Sequence, residues 1–221
     1  MRSDLVSVII PCYNGARYIA QCIESVRSQT YPHWEILVAD DCSTDNSAMI
    51  IQEYCSRDSR IRYCKTNSAS GSPAIPRNLA IDQAKGRFLT FLDCDDLWLP
   101  KKLEEQIVCK QKTNAAIIFS NYEKMSEDGI RSQRIVIAPS EINYRRLYYG
   151  NVLGCLTVFI DINITGKFHF EKLHHEDYIA WLELLKRFDP AVNANTVNAC
   201  YRERFSVWQQ IEYSHMATEY L

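Results

Sequence analysis

The sequence predicts an α/β fold, with a mixed, mostly parallel central sheet flanked by helices. Three observations predict it. The first hundred residues repeat strand, loop and helix, the mark of parallel strands joined by right-handed crossovers. The strands are short apolar runs, as expected where both faces of a sheet are covered. Three strand ends carry polar clusters, at Tyr13-Asn14, at Asp40-Asp41 and at Asp93, Asp95 and Asp96. Parallel sheets bind ligands at these ends.

The elements follow in order. Leu5 to Pro11 is a β-branched run that reads as a buried strand, ended by the loop Pro11–Gly15. Residues 16–29 read as a helix, with Tyr18, Cys22 and Val26 four apart and Ile19 and Ile23 beside them. Glu35 to Ala39 is a second strand. Thr44 or Asp45 can cap the next helix, 46–57, expected to bury Met49, Ile50 and Tyr54. Ile61 to Lys65 is a third strand. A Ser/Gly/Pro loop leads to a helix over 77–85, with Pro76 at its first turn and Gly86 placed as a C′ glycine. Phe88 to Leu92 is the fourth strand. The second half reads as helix 100–112, strand 115–121, a hairpin strand 134–137 and a Tyr- and Arg-rich helix 141–149. Strand 156–160, helix 178–188 and a last strand 197–201 follow.

One domain is expected over 1–205, with a nucleotide-binding half of about 1–100 and an acceptor half of about 101–205. Residues 206–221 read as a tail without an end signal, expected to be cut short. Lys+Arg 25 against Asp+Glu 27 gives no bulk charge for a nucleic-acid partner. The cysteines, nine and unpaired by motif, read as reduced thiols and suggest a cytoplasmic chain. No apolar run approaches the ~18 residues of a membrane span, so any membrane contact is expected to be peripheral, at the inner face. No Gly-x-Gly-x-x-Gly follows the first strand and no P-loop occurs, so neither a dinucleotide nor a P-loop nucleotide is expected.

Asp93, Asp95 and Asp96 pose the chemical question. Like charges this close repel unless a cation or hydrogen-bond donors compensate. A divalent ion with oxygen ligands is the economical compensation, and a phosphate is its usual client. A helix N-cap would account for one acid only. Asp40 and Asp45 have the plainer reading of turn and cap residues, and Trp98 that of core packing.

Assembled, these residues resemble a family-2 glycosyltransferase of the GT-A fold over about the first 200 residues. Ser7–Asn14 resembles the opening strand, and Asp40–Asp45 the second motif. Pro76–Ala80, with Ala84–Gly86, resembles the arginine-bearing helix. Phe91–Trp98 resembles the Asp-x-Asp motif, and His175–Tyr178 the acid pair carrying the base. Tyr201–Ser206 resembles the closing Tyr-Arg segment without its histidine, leaving Arg202 and Arg204 as the charges there.

The resemblance implies inverting transfer of a sugar from a UDP-sugar to a hydroxyl of a saccharide acceptor, lipid-linked in polysaccharide or lipopolysaccharide assembly, with Mn²⁺ or Mg²⁺ as cofactor. It implies Asp95 as metal ligand, with Asp93 nearer the ribose and a metal-bound water, and Cys94 contributing backbone between them. Asp41 would accept from the uracil N3–H, with Pro11 and Tyr13 against the base. Asn67 and Arg77 would line the nucleotide pocket, Arg77 offering its fork to an oxygen. Asp177 would be the general base, flanked by Glu176. Two other readings stand beside this one: a nucleotidyltransferase, for which no glycine-rich triphosphate loop is found, and a nucleotide-binding scaffold without turnover.

Overall fold

The computed structural model describes residues 4–203. The tail from 206, with Phe205 and Arg204 before it, lies outside the described residues. The first half contains β1 (Val6–Cys12), α1 (Ile19–Arg27), β2 (Trp34–Asp40), α2 (Ser47–Arg57), β3 (Ile61–Lys65), α3 (Ala74–Gln83), β4 (Phe88–Phe91) and β5 (Leu97–Trp98). The second contains α4 (Lys102–Thr113), β6 (Ile117–Met125), β7 (Arg131–Val136), β8 (Glu141–Ile142), α5 (Tyr144–Tyr148), β9 (Phe159–Asp161), α6 (Ile162–Thr165), α7 (Glu176–Leu185) and β10 (Ala191–Arg202).

Strands from both halves join one sheet, in the order β3-β2-β1-β4-β9-β6-β10-β5, with β7 on β6 and β8 on β10. β3, β2, β1 and β4 are parallel, β9 is antiparallel to both β4 and β6, and β10 is parallel to β6. All seven residues of β1 and of β2 are buried. Alternation sends Val8, Ile10 and Val38 to one face, with α1, Ile51 of α2 and Leu103 of α4. Ile9, Leu37 and Phe91 go to the other, with α3 and with Trp181, Leu184 and Leu185 of α7. The chain winds outward from β1 to β3 and then returns to β4 on the far side of β1. The crevice at the carboxyl ends of β1 and β4 is therefore the switch point of the sheet.

Several local expectations change. Met49 is 63% exposed and Ile51 is the apolar residue α2 buries. α3 starts three residues earlier than its periodicity suggested, with Pro76 inside its first turn. Gly86 is not a helix-ending C′ residue, because the helix stops at Gln83. A Cβ on Gly86 would stand 2.6 Å from the Leu5 carbonyl and 2.8 Å from the Ser7 nitrogen, so the residue is glycine for close approach to β1. β10 runs six residues further back than the apolar run showed, because its polar first half pairs with β6 and β8. Trp98 is buried and its indole N–H donates to the Leu156 carbonyl at 3.0 Å, a core role.

Candidate active site

Loops at the carboxyl ends of β1, β2 and β4 and the start of α7 converge on a cleft of about 970 Å³. Its lining includes Pro11, Tyr13, Asp41, Arg77, Asp93, Cys94, Asp95, Glu176 and Asp177. Of the residues predicted from sequence, only Asn67 lies outside the lining, exposed on its loop. Its neighbours Thr66 and Ser70 take the inward positions and reach Asp41.

The β1 and β2 exits are stitched together. Asn14 takes a left-handed backbone (φ 50°), and its Oδ1 accepts from the Thr44 N–H at 2.8 Å. Gly15 N–H donates to Ser47 Oγ at 2.8 Å and Ala16 N–H to Asp45 Oδ2 at 3.0 Å. Asp45 also accepts from the Ser47 N–H at 2.9 Å, so it closes a turn. Asp40 accepts from the Ser43 N–H and from the Tyr63 hydroxyl, both at 3.0 Å. The local, structural reading of these two acids therefore describes them. Asp41 differs, since it is buried yet lines the cleft. Its carboxylate accepts from Thr66 Oγ1 at 2.9 Å, from Ser70 Oγ at 2.8 Å and from the Ser70 N–H. These donors fix its orientation beside Pro11 and Tyr13.

The centre of the cleft is organised by Arg77, only 2% exposed. Its Nη2 donates to Asp93 Oδ1 and its Nη1 to Glu176 Oε1, each at 2.6 Å. The fork expected to meet a ligand oxygen is thus spent on two carboxylates, one from each side of the cleft. Burial opposes the charge on Arg77, but Asp93 and Glu176 outweigh it and raise the guanidinium above its ordinary value. Its Nε is buried without a partner. Asp177 follows Glu176 in the first turn of α7. Burial raises its carboxyl above the ordinary range, against the Tyr178 N–H and Arg77, which lower it. Glu176 and Asp93 add repulsion.

Asp96, the third acid after β4, is buried in the cleft wall, where its Oδ1 accepts from the Arg202 N–H at 2.8 Å. Burial and the charges of Asp93 and Asp95 raise its carboxyl well above the ordinary range. Arg202 donates from Nε to the Asp95 carbonyl at 2.6 Å and from Nη1 to the Glu127 carbonyl at 2.7 Å. It lines the cleft while holding the Asp95 turn in place.

Sequence reasoning passed over Tyr122 and Leu156 and noted Tyr201 only as the start of the closing segment; all three line the cleft. Tyr122, within β6, and Tyr201, near the end of β10, stand edge to face, 6.0 Å apart. Only the place of Tyr201 near a strand end could have signalled it. His174 and His175 line the cleft too. Among the described residues, no three His, Cys, Asp or Glu side chains converge in a way that could hold a metal ion. Among the same residues, no helix is long and apolar enough to cross a membrane.

Known proteins place this geometry. The chain is 40% identical over 203 residues to the Escherichia coli protein WfgD, named as a UDP-Glc:α-D-GlcNAc-diphosphoundecaprenol β-1,3-glucosyltransferase, covering 91% of this chain and 78% of WfgD. It is 39% identical over 199 residues to TuaG of Bacillus subtilis strain 168, named for teichuronic acid biosynthesis, covering 90% of this chain and 79% of TuaG. The fold matches S. aureus TarS, crystallised with UDP-GlcNAc, at a TM-score of 0.76 and 21% identity, over 93% of this chain and 60% of the TarS chain. The GT-A architecture implied by the resemblance is the one observed. Residues 7–169 match the family described as Glycosyl transferase family 2. On that match and these identities, the chain belongs to glycosyl transferase family 2 and is a glycosyltransferase.

Proposed function

We propose that the chain transfers a sugar, with inversion, from a UDP-sugar to a hydroxyl of a lipid-linked saccharide. The observation that carries this reading is the double ion pair of Arg77. It joins Asp93, on the side of the sheet switch point where a nucleotide would bind, to Glu176, next to the proposed base. Donor and acceptor machinery thereby share one cleft and one cation.

Asp41 would accept from the uracil N3–H, between Pro11 and Tyr13. Asp93 and Asp95 are hard oxygen donors on one turn, which suits Mn²⁺ or Mg²⁺. Two carboxylates are fewer than such an ion takes, so diphosphate oxygens and water would complete the shell. When bound, the ion supplies charge to stabilise the departing diphosphate. Arg202 would hold the Asp95 turn in register. Asp177 would take the acceptor proton as the hydroxyl attacks the anomeric carbon, and its raised pKa suits a base working near neutrality. Glu176, held by Arg77, would orient the acceptor. One displacement with one base inverts the anomeric centre.

The WfgD name makes UDP-glucose the first donor to test and a diphosphate-linked lipid the first acceptor. Tyr148 and Tyr149, both largely exposed, and the nearby Arg145 and Arg146 would serve a peripheral contact with the membrane holding that lipid. The Tyr178 hydroxyl, one residue past Asp177, donates to the Leu147 carbonyl at 2.8 Å and so ties this segment to α7.

Asp177→Asn tests the base. It should reduce transfer by about 10²–10⁴-fold, the usual share of general-base catalysis, while UDP affinity stays within about twofold. An unchanged rate removes Asp177 from the mechanism.

A further inference from the structure

Beneath the Asp93–Asp95 turn lies a pair of thiols that the proposed transfer does not use. β1 and β4 run side by side in parallel, with Val6 opposite Phe88 and Ile9 opposite Phe91. The pairing ends there: Cys12 is the last residue of β1, and Cys94 lies in the turn after β4. The two side chains nonetheless converge. A Cβ on Gly15 would stand 2.8 Å from Cys94 Sγ and 3.0 Å from Cys12 Sγ. Both sulfurs therefore point into one small space, which glycine leaves open. Both residues are buried in the cleft wall, Cys12 1% and Cys94 8% exposed, so the cleft is the route by which a small oxidant would reach them. Cys22, the next thiol, is fully buried, and its Sγ is 3.6 Å from the Asp93 carbonyl oxygen, to which it donates.

We propose that Cys12 and Cys94 are an oxidisable pair whose disulfide shuts the donor side of the cleft to nucleotide. With a peroxide as oxidant, one thiolate attacks a peroxide oxygen, giving a sulfenic acid and, after proton transfer, one water. The second thiol attacks the sulfenic sulfur, the S–S bond forms and a second water leaves. Two thiols give up two electrons and two protons, and one peroxide becomes two waters. The new bond, at ~2.05 Å, is far shorter than any non-bonded approach of two sulfurs. It draws the end of β1, which carries Pro11 and Tyr13, toward the residue between Asp93 and Asp95. The effect on nucleotide rests on the UDP-sugar reading; formation of the bond does not.

The test treats the full chain with hydrogen peroxide, blocks remaining thiols and maps peptides by mass spectrometry without reduction. The expected product is a Cys12–Cys94 linked peptide about 2 Da lighter than its two free parts, restored by dithiothreitol. UDP affinity should fall at least about tenfold on oxidation and recover on reduction. Free Cys12 and Cys94, or a link formed elsewhere, overturns the pairing. A mapped Cys12–Cys94 link with UDP affinity unchanged overturns the gating. Reduced protein that binds no nucleotide refutes the UDP-sugar reading and the gating together, and the peptide map still decides the pairing. Cys94→Ser, shown folded by circular dichroism, should lose the mass change, and a link to Cys12 that persists refutes the assignment.

Discussion

Arg77→Met removes the cation at the centre of the cleft while keeping an apolar stem against Phe170, whose ring lies 5.4 Å from the guanidinium. Two charge-assisted hydrogen bonds of 2.6 Å are lost, each worth about 1.5–3 kcal/mol when shielded from water. The Glu176 side is well shielded, its side chain 14% exposed. The Asp93 side is not, at 36%, so water replaces most of that bond and only about 0–1 kcal/mol is assigned to it. The expected loss is about 3 kcal/mol, near the lower end for removing one partner of a buried pair. For a chain of this size that corresponds to a melting temperature lower by roughly 6–12 °C. A second readout separates electrostatics from packing. Arg77 lowers the Asp177 pKa while Glu176 and Asp93 raise it, so the acid limb of the kcat/KM profile should move to higher pH in the variant. Calorimetry and a pH–rate profile check the two effects. A melting temperature within about 2 °C of the parent and an unmoved acid limb would refute the clamp.

Other predictions concern the frame around the cleft. Lys102 is fully buried against Trp98, with its Nζ donating to Gln106 Oε1 at 2.6 Å. Burial pushes its amine well below the ordinary value, so unfolded lysine binds a proton that the folded state lacks. Its contribution to stability is therefore lost as pH falls from the unfolded value of about 10.4 toward the folded one. Urea titrations across this range should show a shallower rise of stability with pH in Lys102→Met, and equal slopes would contradict the neutral amine. Gly86→Ala should cost about 1–3 kcal/mol, because the new methyl meets backbone that cannot rotate away; an unshifted melting curve would mean that β1 yields. In the parent enzyme the acid limb of kcat/KM should lie above the ordinary aspartate range, because burial raises Asp177. A limb within that range would exclude Asp177 as the titrating base.

Much of the first half was legible because its signals are local. Strands β1 to β4 lie within a residue or so of their apolar runs, and the acids at their ends fall where a parallel sheet gathers ligands. Asp41, Arg77, Asp93, Asp95, Glu176 and Asp177 do line one cleft. What the sequence could not show is pairing between distant positions. Arg77 meets Asp93 and Glu176 across separations of 16 and 99 residues, so its fork could be foreseen but not its partners. Asn67 was expected in the pocket from the family resemblance, but its loop turns Thr66 and Ser70 inward instead. β5 is two residues long and is a strand only because Ala199 and Cys200 of β10 pair with it. β10 itself begins in the polar run Val192–Thr196, which no apolar pattern marks, with register shifts against β6. In α2, neighbouring apolar residues left the buried face ambiguous until Ile51 was seen against the sheet.

The central claim is that this cleft holds a uridine diphosphate through Asp41 and, with a metal, through Asp93 and Asp95. Calorimetric titration of UDP with and without Mn²⁺, with CMP and GDP as controls, tests it most directly. The account predicts that UDP alone among the three binds, that Mn²⁺ tightens it, and that Asp95→Asn removes the gain from metal. Folded protein that binds none of the three, or binds GDP as well as UDP, would contradict it.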